Sequence, residues 1–527
     1  MRHELAEVST GGVLRPVGFG PITRRWVGRQ VRLSGSTLLL GTALFSLFVA
    51  LLALIQFSTP NLAGNDGYYH IKLAQVMRQE GLRPPFPWLP LTVLAADRYV
   101  DHHWLYHVLL LPFTWGDLRL GAKWASVILP ALTFLTGWVL LRGQRVPLAA
   151  LWSLGFLAVS EAFLYRMSMP RAQAASLLFL LLALHLTLTG RHRWLLVVGL
   201  LYVWLYNAFP LLLLVVGANV VARWLIDGRL ALKPLLYASA GLGLGLVLNP
   251  YFPDNLSFIY YHLAPKLTEV TATSVGREWY PYQTWTLVEN SGPSLVVFML
   301  AVLALGLTGR RMGSATATLF FLAVLFGAML FKSRRFVEYY PAFALLFCAL
   351  AWQPLFEQWL AKKSLATRSL PVGLALLLAV AIGLNLQSAQ ESLQRSKSYQ
   401  QYAGAATWLA AHTPTGSRVF QTDWDDFTRL FFYNTHNTYI LGLDPTYMQS
   451  RDPDLYETWV DLTQGRIDRP SQTIVEDFGA TYAVTDLDHT KFIKQAEADP
   501  HLREVYRDED AAIFQVVDAS TANLIHP

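Results

Sequence analysis

The chain is short of cysteine and of charge. Across 527 residues there is one cysteine, Cys348, inside an apolar run, which excludes an intrachain disulfide framework and a thiolate metal site. Charged residues make up only 15%, hydrophobic residues reach 53% and the mean hydropathy is positive. Soluble domains carry about a quarter charged residues, so a soluble enzyme is excluded and the bilayer is the expected solvent. The net charge of +6 is poor evidence for nucleic acid, because much of it lies in short loops between apolar runs. Also missing are a repeat of fixed period, a low-complexity tract and, in segment 1–35, a short apolar core followed by a cleavage site. The first long apolar run is therefore expected to be a retained helix.

What is present in quantity is hydrophobic runs near the twenty residues that cross a bilayer. They are Leu38–Phe57, Trp124–Leu141, Pro147–Leu164, Ala172–Thr189, Trp194–Val221, Pro234–Leu248, Pro293–Leu307, Ala315–Phe331, Phe336–Trp352 and Leu370–Leu386. Read as a tight hairpin around Asn207 and Pro210, Trp194–Val221 puts the basic loops on one side: Arg24 to Arg32, Arg142 and Arg145, Arg191 and Arg193, Arg223 to Lys233, Arg310 and Arg311, Lys362 to Arg368. The expectation is a mainly α, polytopic transmembrane bundle of about eleven spans, its N-terminus cytoplasmic by the positive-inside rule. Three parts follow: a cytoplasmic segment 1–35, a membrane domain 36–387 with long outer loops 58–123 and 250–292, and an outer segment 388–527. The last has soluble-domain composition and β-rich runs at Arg418–Thr422, Thr481–Thr485 and Ala512–Val517, expected as a small extracytoplasmic α/β domain.

Three polar segments then face the same outer side. In the first loop, Asp66 precedes Tyr69 and His70; a general base or metal ligand is one reading, and a helix N-cap before the periodic stretch Tyr68–Glu80 is the other. Farther along, Asp101, His102, His103 and His107 form a second polar cluster, suited to metal binding or proton transfer, although adjacent residues on a helix diverge. In the loop after Pro250, Glu278 stands among Trp279, Tyr280, Tyr282 and Trp285: rings for sugar faces and an acid for hydroxyls, or an interfacial aromatic belt. Lys332, Arg334 and Arg335 fall on the outer side against the charge bias, where guanidinium groups pair with lipid phosphate or simply snorkel; Arg166 and Arg171 add to that basic group. Glu161 is a candidate acid or a neutraliser of Arg166. Asp423, Asp425 and Asp426 in TDWDDF offer a metal or acceptor site, or capping. His185 and Cys348, inside apolar runs, are read as packing residues.

These segments resemble membrane glycosyltransferases of the GT-C class. GNDGYYHIKLA resembles the first-loop motif of oligosaccharyltransferase catalytic subunits, TSVGREWYP their TIxE or SVxE motif with Glu278 as the acid, and RRFVEYYP the arginine segment that follows. The resemblance implies that Asp66 binds a divalent metal (Mg or Mn, with His102, His103 and Glu161 as further ligands) or acts as base, and that Glu278 orients acceptor or metal. It also implies that Arg334, Arg335, Lys332, Arg166 and Arg171 hold a polyprenyl phosphate, while Tyr69, His70, Trp279, Tyr280, Asp423 and Asp425 meet sugar or acceptor. Three departures stand out: the second loop has no DxD-like pair, Arg277 separates SVG from Glu278, and TDWDDF replaces WWDYG. Peptide-sequon recognition therefore does not carry over, and transfer of one sugar, as in protein mannosyltransferase-like bacterial enzymes, is the expectation, in a bacterial or archaeal cell membrane. Expected partners are a polyprenyl-phosphate sugar, membrane lipid and a glycan, lipid or protein acceptor. The competing readings are en bloc glycan transfer, a transporter or lipid flippase, marked by ionisable groups at mid-membrane, and a structural or sensory protein.

Overall fold

Apolar runs of this kind satisfy their backbone groups internally, and they fold as helices at the expected places. The structure, a computed structural model, describes residues 35–96, 98–267, 277–309, 311–362 and 365–517. The basic segment before Gly35 and residues 268–276, which carry the SVG of the second outer motif, lie outside these. Among the described residues, five helices are long and apolar enough to cross a membrane: Gly35–Gln56, Leu118–Gly143, Thr284–Thr308, Ser314–Lys332 and Ser369–Gln394. The last of these and Thr284–Thr308 present exposed Leu376, Leu377, Val380, Met299 and Leu303, apolar faces suited to lipid rather than water.

The expected span Phe336–Trp352 falls largely in a 21-residue helix, Tyr340–Leu360; the other expected spans are shorter, and one is broken. Trp194–Val221 is two helices, Trp194–Leu205 and Leu211–Asp227, with the break where Tyr206 takes an extended backbone and Pro210 begins the second helix. The expectation of one helix over Pro147–Leu164 is corrected: Ala149–Leu154 runs into a 3-10 turn at Gly155–Leu157, and a separate helix starts at Glu161. Ser160 causes the break, with an extended backbone and a hydroxyl that accepts from the Phe163 amide, an N-cap inside an otherwise apolar run. Helix Trp194–Leu205 lies against Lys233–Val247 so closely that a Cβ on Gly241 would fall 2.3 Å from the Leu196 carbonyl oxygen, the small-residue contact typical of membrane helices.

Beyond the helical bundle, five strands form one mixed sheet: β1 Arg418–Gln421, β2 Thr438–Tyr439, β3 Tyr482–Asp486, β4 Leu502–Arg507 and β5 Ala511–Val516, in the order β2-β1-β3-β5-β4. β1 is parallel to both β2 and β3, and β5 is antiparallel to β3 and β4. This unit does not pack on its own. Tyr69, Val76, Phe86 and Trp88 of the first long loop share a core with Val419, Phe427, Phe431 and Tyr439, and the Tyr439 amide donates to the Trp88 carbonyl at 2.8 Å. The first loop is thus an extra layer between the membrane helices and the sheet.

Candidate active site

Two structural devices bring Asp66 to its neighbours. The Lys123 ammonium, buried in helix Leu118–Gly143, donates to the carbonyls of Gln56, Thr59 and Asn61 at 2.5, 2.9 and 2.6 Å, tying down the chain where the first helix ends. Farther on, Gly67 packs against Pro170 with no room for a side chain, since a Cβ there would lie 2.0 Å from Pro170 Cγ. That contact sets the start of helix Asp66–Glu80 beside Arg171.

The capping alternative for Asp66 does not hold. Asn65 occupies the N-cap position and its side chain makes no capping bond; it accepts from Arg429 Nε at 3.0 Å and donates to Asp425. Asp66 is the first helical residue, and its carboxylate pairs with Arg171 Nη2 at 2.8 Å. Arg171 Nη1 donates to Glu278 at 2.7 Å, and Arg166 Nη1 to the same oxygen at 2.6 Å. Arg166 Nε also donates at 2.9 Å to Glu338, which is fully buried. Arg335 is the loosest member: Nη1 stands 3.7 Å from Glu278 Oε2, Nη2 donates to the Tyr206 hydroxyl, and the guanidinium lies 4.9 Å from the Trp279 ring centre. Burial works against the Glu278 charge, yet Arg166, Arg171 and Arg335 together hold its carboxyl well below the usual range.

A cavity of about 750 Å³ is bounded by Asp66, Arg171, Glu278, Trp279, Arg335 and Asp425, and also by Tyr69, His70, His102 and His103. The other nominated residues are elsewhere. Arg334 Nε donates to the Pro281 carbonyl at 3.2 Å and its guanidinium lies 5.1 Å from the Tyr282 ring, so it braces the loop. Arg166 stands behind Glu278, exposed Tyr280 accepts from the Arg334 amide through its carbonyl, and Lys332 ends its helix on an exposed face. Glu161 accepts from Ser392 at 3.0 Å, away from the cavity, which separates it from the other expected metal ligands.

Part of the histidine cluster is a hydrogen-bonded chain. Asp101 Oδ2 meets His107 Nδ1 at 2.7 Å, and His107 Nε2 meets His70 Nδ1 at 2.8 Å, so His70 reaches the cavity with a carboxylate two links behind it. Burial, reinforced by neighbouring histidines, lowers His70 and His103 well below their ordinary values and keeps them neutral. His102 stacks on Phe258 and His103 on Tyr206. Sequence reading did not nominate Glu338, Tyr206 or Arg429; an acid inside the apolar FVEYYP was the available signal for the first.

The donor set between Asp66 and Glu278 does not fit a divalent ion, because the Arg171 guanidinium already bridges the two carboxylates with one amino group on each. A set of carboxylates that could hold an ion does exist outside the cavity, at Asp423, Asp426 and Asp486.

Asp425 has a carboxyl pushed up to about 6 by burial, with Asp66 and Asp423 adding to the shift. A carboxyl raised in the folded chain holds its proton more tightly than in the unfolded chain. Its stabilising share is therefore complete below about pH 4 and is lost as pH rises through about 6. Asp425→Asn, which keeps the contact with Asn65, is expected to gain on the order of 1–3 kcal/mol relative to wild type between pH 4 and pH 7. Thermal melts across that range check this; parallel curves for the two proteins would mean that Asp425 is ionised throughout.

No protein-family model matches the chain, and no curated protein does. Solved structures do match. The archaeal oligosaccharyltransferase AglB from Archaeoglobus fulgidus, in complex with an inhibitory peptide and a dolichol-phosphate, aligns at TM-score 0.61 and 15% identity, covering 88% of this chain and 72% of its own. ArnT from Cupriavidus metallidurans, bound to undecaprenyl phosphate, aligns at TM-score 0.56 and 16% identity over 91% of this chain and 98% of its own. The arabinofuranosyltransferase AftD from Mycobacteria aligns at TM-score 0.54 and 16% identity, over 90% of this chain and 40% of its own. All three are GT-C glycosyltransferases, and the fold described above is the GT-C fold.

Proposed function

We propose that the chain is an integral-membrane glycosyltransferase that moves a sugar from a polyprenyl-phosphate donor to an acceptor on the outer face of the membrane. The observation that carries this reading is the single cavity in which Asp66, Glu278 and Arg335 meet, drawn from segments up to 269 residues apart (335 minus 66). The bound dolichol-phosphate of AglB and undecaprenyl phosphate of ArnT support the donor class. The positive-inside pattern supports a cytoplasmic N-terminus and an extracytoplasmic sheet domain.

In this reading the donor phosphate lies against Arg335, with Arg395 and Lys397 also on the cavity wall. The anomeric carbon–oxygen bond breaks as an acceptor oxygen bonds to that carbon from the opposite face, which inverts the configuration. The electron pair stays on the lipid phosphate, where Arg335 meets growing negative charge. The acceptor proton passes to Asp66, whose carboxylate is aimed by Arg171. Glu278 fixes Arg166, Arg171 and Arg335 in place and needs no proton for this task, consistent with its low pKa. No step uses a metal ion.

The test is reconstitution into liposomes with a panel of polyprenyl-monophosphate sugars labelled in the sugar. The expected result is a labelled acceptor and stoichiometric polyprenyl phosphate. Label that crosses the bilayer with its lipid bond intact would indicate a flippase, and consumption of pyrophosphate-linked glycans alone would indicate en bloc transfer.

A further inference from the structure

Because β1 and β3 are parallel neighbours, with Gln421 opposite Val484, their C-terminal ends deliver two acidic turns to one place. Thr422 Oγ1 donates to Thr485 Oγ1 at 2.9 Å, and just beyond this pair stand Asp423 and Asp426 on one turn and Asp486 on the other. Each offers a carboxylate oxygen, and the three atoms lie within 4.8 Å of one another. Asp423 Oδ1 accepts from the Asp425 amide at 3.0 Å; Asp486 Oδ1 accepts from the His489 ring and from the amides of Asp488 and His489. Asp426 is buried and its Oδ2 has no hydrogen-bond partner. A group outside the two turns points the same way: the hydroxyl of Tyr402, only 1% exposed, is buried beside Asp426 without a well-formed hydrogen bond. Among the described residues no lysine or arginine forms an ion pair with the three carboxylates, and His489 is the one cationic partner, on Asp486.

When all three are ionised, carboxylates held this close, two of them buried, destabilise the fold unless positive charge beyond that of His489 joins them. We propose that Asp423, Asp426 and Asp486, with the Tyr402 hydroxyl, hold a divalent cation of the hard, oxygen-preferring class, calcium being the best match. The donors are all oxygen, which excludes zinc-type selection. Calcium accepts irregular sets of oxygens at about 2.3–2.6 Å, so ligands facing each other across it are about 5 Å apart, compatible with the observed spread. The ion joins the ends of β1 and β3 and fixes the turn whose Trp424 and Asp425 line the cavity. This role is separate from the transfer chemistry, and its failure would leave the proposed function untouched.

The test uses full-length protein in detergent, stripped with EDTA and dialysed. Added calcium at 1 mM is expected to raise the Tm by about 3 °C or more, and EPR with Mn²⁺ as probe is expected to count one bound ion per chain. Asp426→Asn and Asp486→Asn should each lose both signals, while Asp66→Asn keeps them. In EDTA, Asp426→Asn should melt no lower than wild type, since it removes one of three crowded charges. Should Asp486→Asn fail to fold for want of its bonds to the His489 turn, Asp426→Asn carries the test alone. The proposal is overturned if calcium leaves the wild-type Tm unchanged, if the rise survives in Asp426→Asn, or if the bound Mn²⁺ disappears with Asp66 instead.

Discussion

Arg335→Gln is expected to lower turnover by about 10²–10³-fold, the usual cost of removing one fixed donor from a site of developing negative charge. Of the clustered arginines, Arg335 is the one on the cavity whose charge is least spent: its contact with Glu278 is 3.7 Å, whereas Arg166 and Arg171 reach the same acid at 2.6 and 2.7 Å. Its other partners, the Tyr206 hydroxyl and the Trp279 ring, orient it without neutralising it. Charge grows on the phosphate oxygen as the sugar leaves, so the loss should fall on kcat more than on donor binding. Lysine keeps the charge but not the planar fork that serves Tyr206 and Glu278 together, and Arg335→Lys should lose only about tenfold. Arg334→Gln is the internal control. Its guanidinium braces the Pro281 carbonyl and Tyr282 rather than the cavity, so turnover should stay within a few-fold of wild type. Single-turnover rates at saturating polyprenyl-phosphate sugar, with donor affinity measured separately, decide the matter. If Arg335→Gln transfers sugar normally, the phosphate must be sought near Arg171, Arg395 and Lys397.

The sequence distinguished neither of these adjacent arginines, and the reason is general. Charge bias along a membrane chain reports which side a residue is on, and it marked Lys332, Arg334 and Arg335 together; which of them turns inward depends on Pro281 and Tyr206, 53 and 129 residues away. The apolar runs were legible because hydropathy is a local property, and the β-rich runs near residues 418, 481 and 512 coincide with β1, β3 and β5. The break in Pro147–Leu164 was not legible: hydropathy counts Ser160 as one mildly polar residue, whereas its hydroxyl starts a new helix. The two-residue β2 is too short to leave a pattern. The same limit hid the function of Asn65. Asn-Asp-Gly before a periodic stretch reads as a cap, but Asn65 serves Arg429 and Asp425 across some 360 residues of chain. Of the expected metal ligands, Asp66, His102 and His103 share the cavity and Glu161 does not, for the opposite reason. Residue type alone admitted Asp66 and Glu161 to one set, and only the fold reveals Arg171 between Asp66 and Glu278, and Glu161 on Ser392.

Asp66→Asn is expected to lower turnover by about 10²–10⁴-fold, the range for loss of a general base, with little change in stability. The two effects separate because of where Asp66 lies. It is not the N-cap, so no capping bond is lost. Its charge in the first helical turn is worth about 0.3–1 kcal/mol against the macrodipole. Its pairing with Arg171 is partly solvent-screened, the Asp66 side chain being 31% exposed, and adds less than about 1 kcal/mol. Arg171 keeps its bond to Glu278 in the variant, so no buried cation is stranded. A Tm within about 3 °C of wild type therefore accompanies the loss of transfer. Asparagine also retains an acceptor oxygen for Arg171, so donor affinity should hold while kcat collapses. Asp425→Asn and His70→Gln are the comparisons that matter, since both residues also line the cavity. If Asp66→Asn keeps turnover within a few-fold and one of those two loses it, the acceptor proton goes to that residue, and Asp66 serves only to hold Arg171 against Glu278.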